Sequence, residues 1–188
     1  MKKGVVFLVI LFSLLLSNTL FAQADPAKKE LDLLRIEIPR LNIDMEIEKV
    51  PFDEKLKTWD ITELVGKFYW LEGTSHPEYG GNTVLAAHYM EYGEPGPMFR
   101  VRDFKPGDEI FLYSDNEKYT YTVEKYQYIP DSYTKYMENV PYKLTLFTCS
   151  GFNWDNGNWE QRVLVFSDLT AIDMISTAET DNSLVEKK

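Results

Sequence analysis

Short runs rich in Val, Ile, Tyr, Thr and Phe, each bounded by Gly, Pro, Asn or Asp, recur along most of the chain, and this pattern restricts the fold more than any other feature. Residues 34–38 and 45–48 alternate apolar and polar side chains, as a strand with one buried face must. Residues 82–87 form a mostly apolar run opened by Gly80-Gly81. The turn Lys105-Pro106-Gly107-Asp108 leads into 109–113, and Ser114-Asp115-Asn116-Glu117 returns the chain into 119–129, which reads as a hairpin. In that second arm Tyr119, Tyr121 and Val123 share one face, then the apolar phase slips to Tyr126 and Tyr128, predicting a bulge near Lys125. Residues 143–148 and 162–166 are two further strands, separated by a loop rich in Gly, Asn, Asp and Trp. Helical signals are confined to residues 60–67 and 131–139, and the polar tail from Ala171 reads as weakly ordered or a marginal helix. The expectation is an all-β barrel or sandwich. A chain of 188 residues with 44% apolar content supplies one core, so a single domain is expected.

The amino terminus reads differently. Lys2 and Lys3 precede an apolar run over 5–16, and Ala22-Gln23-Ala24 follows, which describes a secretory signal peptide over 1–24 cleaved before Asp25. The alternative is an uncleaved anchor over residues 4–22, long enough to span a bilayer. Either way the remainder is expected outside the cytoplasm, beginning with a polar linker over 25–32. Loss of Lys2 and Lys3 would leave 18 basic residues against 30 acidic ones, a charge of −12 compared with −10 for the whole chain. So acidic a surface repels phosphate backbones and argues against nucleic acid as a partner.

The chain has a single cysteine, Cys149, and two histidines. An intramolecular disulfide is excluded, and a zinc site built on several Cys and His ligands is disfavoured. An unpaired thiol in an exported protein is either a reactive group or a small buried hydrophobe. Cys149 directly follows the strand 143–148, His88 ends the apolar run 83–87, and Arg162 opens the strand 162–166. Three reactive side chains at three strand ends can converge on one rim of a barrel. A thiol with a pKa of about 8.5 needs a base or cation beside it to become a nucleophile at neutral pH. An imidazole can take that proton and return it to a leaving amine. An arginine can face a developing oxyanion. Spacing alone leaves this reading and the inert thiol both open.

The residues themselves narrow the choice. Thr145-Leu146-Phe147-Thr148-Cys149 resembles the Thr-Leu-x-Thr-Cys signature of sortases, the cysteine transpeptidases of bacterial surfaces. The stretch Gly80-Gly81-Asn82-Thr83-Val84-Leu85-Ala86-Ala87-His88 is similar to that family's histidine strand. Pro97-Met98-Phe99 and Phe104-Lys105-Pro106-Gly107-Asp108-Glu109-Ile110 are similar to the segment that follows it. Arg162-Val163-Leu164-Val165-Phe166 resembles the arginine strand, and Leu34-Arg35-Ile36-Glu37-Ile38-Pro39 the first barrel strand. The resemblance spans roughly 33–169, leaving 170–188 as a polar tail.

It implies a closed β-barrel of about eight strands with a few short helices. It also implies cleavage of a Leu-Pro-x-Thr-Gly-like sorting signal through a thioester, with transfer of the acyl group to an amine of a cell-wall precursor or a pilin lysine. By position, Cys149 is the expected nucleophile, His88 the general acid and base, and Arg162 the substrate or oxyanion stabiliser. A resting pair that is mostly neutral, and hence slow turnover, is implied as well. The expected partners are surface proteins bearing sorting signals. The expected place is outside the cytoplasm, secreted or held at the outer face of the membrane by residues 4–22.

Two departures concern subclass. Ala87 stands where most members carry glycine, and the loop from Ser150 to Arg162 is long and aromatic. Around the trio, Thr148 is a candidate for orienting substrate and equally a strand threonine, and Trp154 and Trp159 are candidates for lining the groove. His76 reads as a solvated loop residue, and Asp155 and Glu160 as solvated loop charges rather than orienters of His88. No cofactor is expected: acidic residues are plentiful, yet no ordered ligand run appears, so calcium stays unassigned. The competing functions are a non-catalytic extracellular binding or adhesion module, and a cysteine protease that only hydrolyses.

Overall fold

The computed structural model describes residues 32–33, 35–130 and 138–175. The signal or anchor segment, most of the linker, residues 131–137 of the helix expected over 131–139 and the last thirteen residues lie outside the described residues. Among them run ten strands: β1 (Arg35–Ile38), β2 (Ile43–Val50), β3 (Phe68–Leu71), β4 (Asn82–Ala86), β5 (Met90–Glu91), β6 (Glu94–Pro95), β7 (Glu109–Tyr113), β8 (Glu117–Pro130), β9 (Lys143–Asn153) and β10 (Asn158–Met174). Eight of them close into a barrel in the order β1-β2-β3-β4-β9-β10-β8-β7, while β5 and β6 form a small separate hairpin. Three 3-10 helices, Pro39–Leu41, Pro77–Tyr79 and Val101–Asp103, complete the elements. The expected all-β barrel of about eight strands with few helices is therefore the fold.

Alternation sorts each strand into an inner and an outer face. Ile36 and Ile38, Leu85, Leu144 and Leu146, Val163 and Val165, Tyr119 and Tyr121 fill the interior together with Phe68, Trp70 and Met98. Strands β3, β4, β9 and β10 are also covered outside. Leu71, Val84, Ala86, Phe147 and Leu164, with Ile129 of β8, form a second apolar cluster on the outer face, and Trp59, Ile61 and Phe166 pack against it. The cover follows from topology. β2 and β3 are parallel neighbours, and parallel strands cannot be joined by a tight turn. The crossover over residues 51–67 is laid across the outer face, and its Trp59 and Ile61 seal the second cluster.

The hairpin of β7 and β8 is present, and the expected bulge is there: Phe166 pairs with Lys125 and Ser167 with Val123, leaving Glu124 as the extra residue. Three expectations change. Residues 60–67 form turns and no helix, because the segment is the crossover and the Asp60 carboxylate accepts the Thr62 N–H at 3.0 Å, a side-chain turn that competes with helix. The tail from Ala171 continues as strand to Met174, since Ala171 to Met174 pair with Thr120 to Glu117. These tail residues are exposed, so the ladder rather than burial holds them, and hydropathy gives no sign of that. Finally, β9 and β10 run past the ends assigned from sequence, to Asn153 and from Asn158.

Candidate active site

Cys149 consequently lies inside β9 rather than at its end, and Arg162 inside β10. The two are directly opposed in the ladder, which places their Cα atoms about 4.5–5.5 Å apart. β4 runs parallel to β9, with Ala86 beside Phe147, and the Ala87 N–H donates to the Phe147 carbonyl at 3.2 Å. His88 is therefore the next outer-face residue after Ala86, level with the Thr148–Cys149 step. Phe147, Leu164 and Ala86 belong to the outer cluster. Cys149, Arg162 and His88, each two residues along, extend that face by one rung. The same rung ends on Ile129, the β8 partner of Arg162. The trio shares one face across three adjacent strands, and all three side chains are half-buried.

Each reactive side chain has its setting. His88 Nε2 lies 2.8 Å from the Ile61 carbonyl oxygen in the crossover. Its backbone is held from the other side, where the Met98 N–H donates to the His88 carbonyl at 3.0 Å. Gly96 passes so close that a Cβ there would meet the His88 carbonyl oxygen at 2.5 Å, so only glycine fits. Arg162 Nη1 donates to the carbonyls of Trp159, at 3.1 Å, and Gln161, at 2.9 Å, which fixes the guanidinium against its own strand. Ala87 is buried in the interior core, so the methyl that replaces glycine points away from the face carrying the trio.

The surrounding candidates separate. Thr148 is 1% exposed and shares the inner side with Leu146, so its hydroxyl is turned away from the Cys149 face. Trp159 shares its side of β10 with the interior residues Val163 and Val165. Its ring packs on Phe152 at 5.0 Å and Tyr89 at 5.7 Å, so it closes the barrel end instead of lining a groove beside the thiol. Trp154 is 88% exposed, with its edge on Phe152 at 4.8 Å.

Glu160 accepts from Asn153 Nδ2 at 2.6 Å, and the Asp155 N–H donates to Asn153 Oδ1 at 2.8 Å, so Glu160 at the start of β10 and Asp155 in the turn before it are both tied to the end of β9. His76 is not solvated: it is 2% exposed. Its Nδ1 accepts the Glu78 N–H at 3.3 Å, and it packs among Trp70, Tyr79 and Tyr119. Burial pushes its pKa below the ordinary imidazole value. Among the described residues no group of three or more His, Cys, Asp or Glu side chains is placed to hold a metal ion.

The Ile61 carbonyl and Gly96 escape a reading by residue type. A backbone oxygen carries no signature in sequence. Pro95-Gly96-Pro97 marks a turn without saying what the glycine approaches.

Comparison with known proteins bears on this arrangement. The sortase domain family matches residues 36–170. A curated relative, sortase A of Bacillus anthracis, is 27% identical over 154 residues, covering 79% of this chain and 64% of the relative. The chain thus spans less than two thirds of the length of that relative. Among solved structures, sortase A of Listeria monocytogenes has a TM-score of 0.64 at 19% identity, covering 84% of this chain and 100% of that one. Sortase C-3 of Streptococcus pneumoniae has a TM-score of 0.62 at 19% identity, covering 86% of this chain and 73% of that one. The structural likenesses establish the barrel. The family match runs from β1 into β10 and includes His88, Cys149 and Arg162, so the chain belongs to the sortase family.

Proposed function

We propose that the protein is an extracytoplasmic cysteine transpeptidase that cleaves a Leu-Pro-x-Thr-Gly-like sorting signal and passes the acyl group to an amine. The observation carrying this reading is the single rung on which His88, Cys149 and Arg162 meet, on the outer face of β4, β9 and β10. In the first half-reaction His88 takes the thiol proton while Cys149 Sγ attacks the scissile carbonyl, whose oxygen gains the negative charge. Arg162, with a permanent charge, faces that oxyanion from the neighbouring strand. Collapse breaks the C–N bond, His88 returns the proton to the departing amine, and a thioester remains on Cys149. In the second half-reaction an incoming amine gives a proton to His88 and attacks the thioester, and Sγ leaves with that proton. The substrates are surface proteins bearing the signal, and the acceptor amine comes from a cell-wall precursor or a pilin lysine. Residues 1–24 direct export or anchor the chain.

The test incubates the protein with a sorting-motif peptide, with and without an amine nucleophile, and follows products and intact protein by mass spectrometry. An adduct on Cys149 together with an amine-linked product supports transfer. Hydrolysed product alone at saturating amine would make the protein a protease. A native thiol that reacts with neither peptide nor a thiol-directed probe would leave an inert binding module.

A further inference from the structure

Every acid–base reading of His88 depends on which ring nitrogen carries the proton in the neutral ring, and the contact with the crossover bears on that. A carbonyl oxygen has no proton to give, so at 2.8 Å from the Ile61 oxygen it is Nε2 that carries the hydrogen. Nδ1 is then the basic nitrogen of the neutral ring. We propose that the backbone carbonyl of Ile61 is a positioning group for His88, one that fixes this tautomer and so assigns Nδ1 to receive the Cys149 proton. The inference rests on the transpeptidase reading above and deepens it.

Both ends of the contact are held in place. The Ile61 oxygen also accepts the Leu64 N–H at 3.1 Å, which sets its direction within a turn. Just before it, the Trp59 indole N–H donates to the Glu72 carbonyl at 2.9 Å. Phe52 packs edge-on to Trp59 at 4.9 Å, and the Asp53 N–H donates to the Thr58 carbonyl at 2.8 Å. The Ile61 and Trp59 side chains lie on the outer apolar cluster directly beneath the reactive rung. On the other side, Met98 and Gly96 hold the His88 backbone.

The arrangement suits both protonation states. Imidazolium donates from both nitrogens, so the Nε2–H bond to Ile61 persists when Nδ1 accepts a proton, and nothing reorganises during transfer. Catalytic triads give this duty to a carboxylate. Of the two acidic candidates here, Glu160 accepts from Asn153 and Asp155 is tied to Asn153 through its backbone N–H, and a backbone oxygen in a strap is the group that meets His88.

The test weakens the acceptor and leaves every side chain in place. Thr62 is replaced by its α-hydroxy acid, which turns the 61–62 linkage into an ester whose carbonyl accepts hydrogen bonds poorly. Asp60→Ala is the companion variant. It removes the partner of the Thr62 N–H, a bond the ester also loses, and leaves the Ile61 amide intact. Nitrogen-15 spectra of the imidazoles report the tautomer without turnover, with His88 assigned by the signals lost in His88→Ala.

The expected result is a wild-type His88 protonated on Nε2, an ester variant with a mixture of tautomers, and an Asp60→Ala variant like the wild type. With sorting peptide the ester should lower kcat on the order of tenfold at unchanged KM, a smaller loss than removal of a general acid–base group itself. An Nδ1–H tautomer in the wild type would overturn the proposal. So would an ester variant with unchanged spectrum and rate, or an Asp60→Ala variant that reproduces the ester's effect. A protein holding the Nε2–H tautomer yet forming no thioester refutes the transpeptidase reading alone.

Discussion

The two histidines sit on either side of β4 and have opposite settings. His76 precedes the strand, is 2% exposed, caps the 3-10 helix Pro77–Tyr79 through Nδ1 and is enclosed by aromatic rings. His88 follows the strand, is half-buried and meets a carbonyl in the crossover. Burial disfavours a charge on the first, while the second stays partly open to solvent. The strand end sets the position: β4 runs parallel to β9, so only the residue following it reaches the level of Cys149.

That contrast can be broken in several ways. The largest effect belongs to His88→Ala. It should lower the rate of thioester formation by about 10²–10⁴-fold with a melting curve close to wild type, and an equal loss in His76→Ala would erase the distinction between the two residues. Arg162→Ala should cost roughly 10²–10³-fold in kcat, again without unfolding the protein, because the side chain is only half-buried. His76→Ala should reverse the pattern. It should lose about 2–3 kcal/mol of stability from the cavity and the lost cap, measured by urea unfolding, while the folded fraction keeps its rate.

A smaller effect sharpens the same point. Burial lowers the native pKa of His76, outweighing the opposing charges of Glu78 and Glu117. Above the unfolded-state value near 6.5 the ring is neutral in both states and contributes no pH dependence. As pH falls below it, the unfolded chain binds a proton that the native protein resists, so stability declines as pH drops from about 7 towards 5. His76→Gln should flatten that decline in thermal melts, and an unchanged slope would move its origin elsewhere. Smallest is Trp154→Ala, which should shift stability by no more than about 0.5 kcal/mol because the ring is 88% exposed.

The barrel was legible because its strands have the right period and its turns the right residues. The Thr145 to Cys149 signature pointed to three strand ends, and the structure brings Cys149, His88 and Arg162 to one rung. What stayed hidden was facing. Leu144 and Leu146 point inward, but Phe147-Thr148 reverses that apolar phase, with the aromatic ring in the outer cluster and the threonine on the inner side, so alternation did not show that Thr148 points in and Cys149 out. The outer cover comes from Trp59 and Ile61, far away in sequence, in a segment whose polar residues read as helix or loop. The burial of His76 depends on Trp70, Tyr79 and Tyr119, of which only Tyr79 is a sequence neighbour. The ends of β9 and β10 were read short because their distal halves hold each other by backbone ladder while their side chains are mostly exposed.

The parallel pairing of β4 with β9 has a consequence in time. Strands so far apart in sequence pair late, since a long loop must close before their contacts contribute. His88 is brought to Cys149 only through that pairing, and Arg162 only through the β9–β10 ladder. A chain with its amino-terminal half formed already carries its imidazole, and the final hairpin alone carries thiol and guanidinium, yet neither piece holds all three. The fold thereby acts as its own delay, and thiol and imidazole come to one level only as the barrel closes.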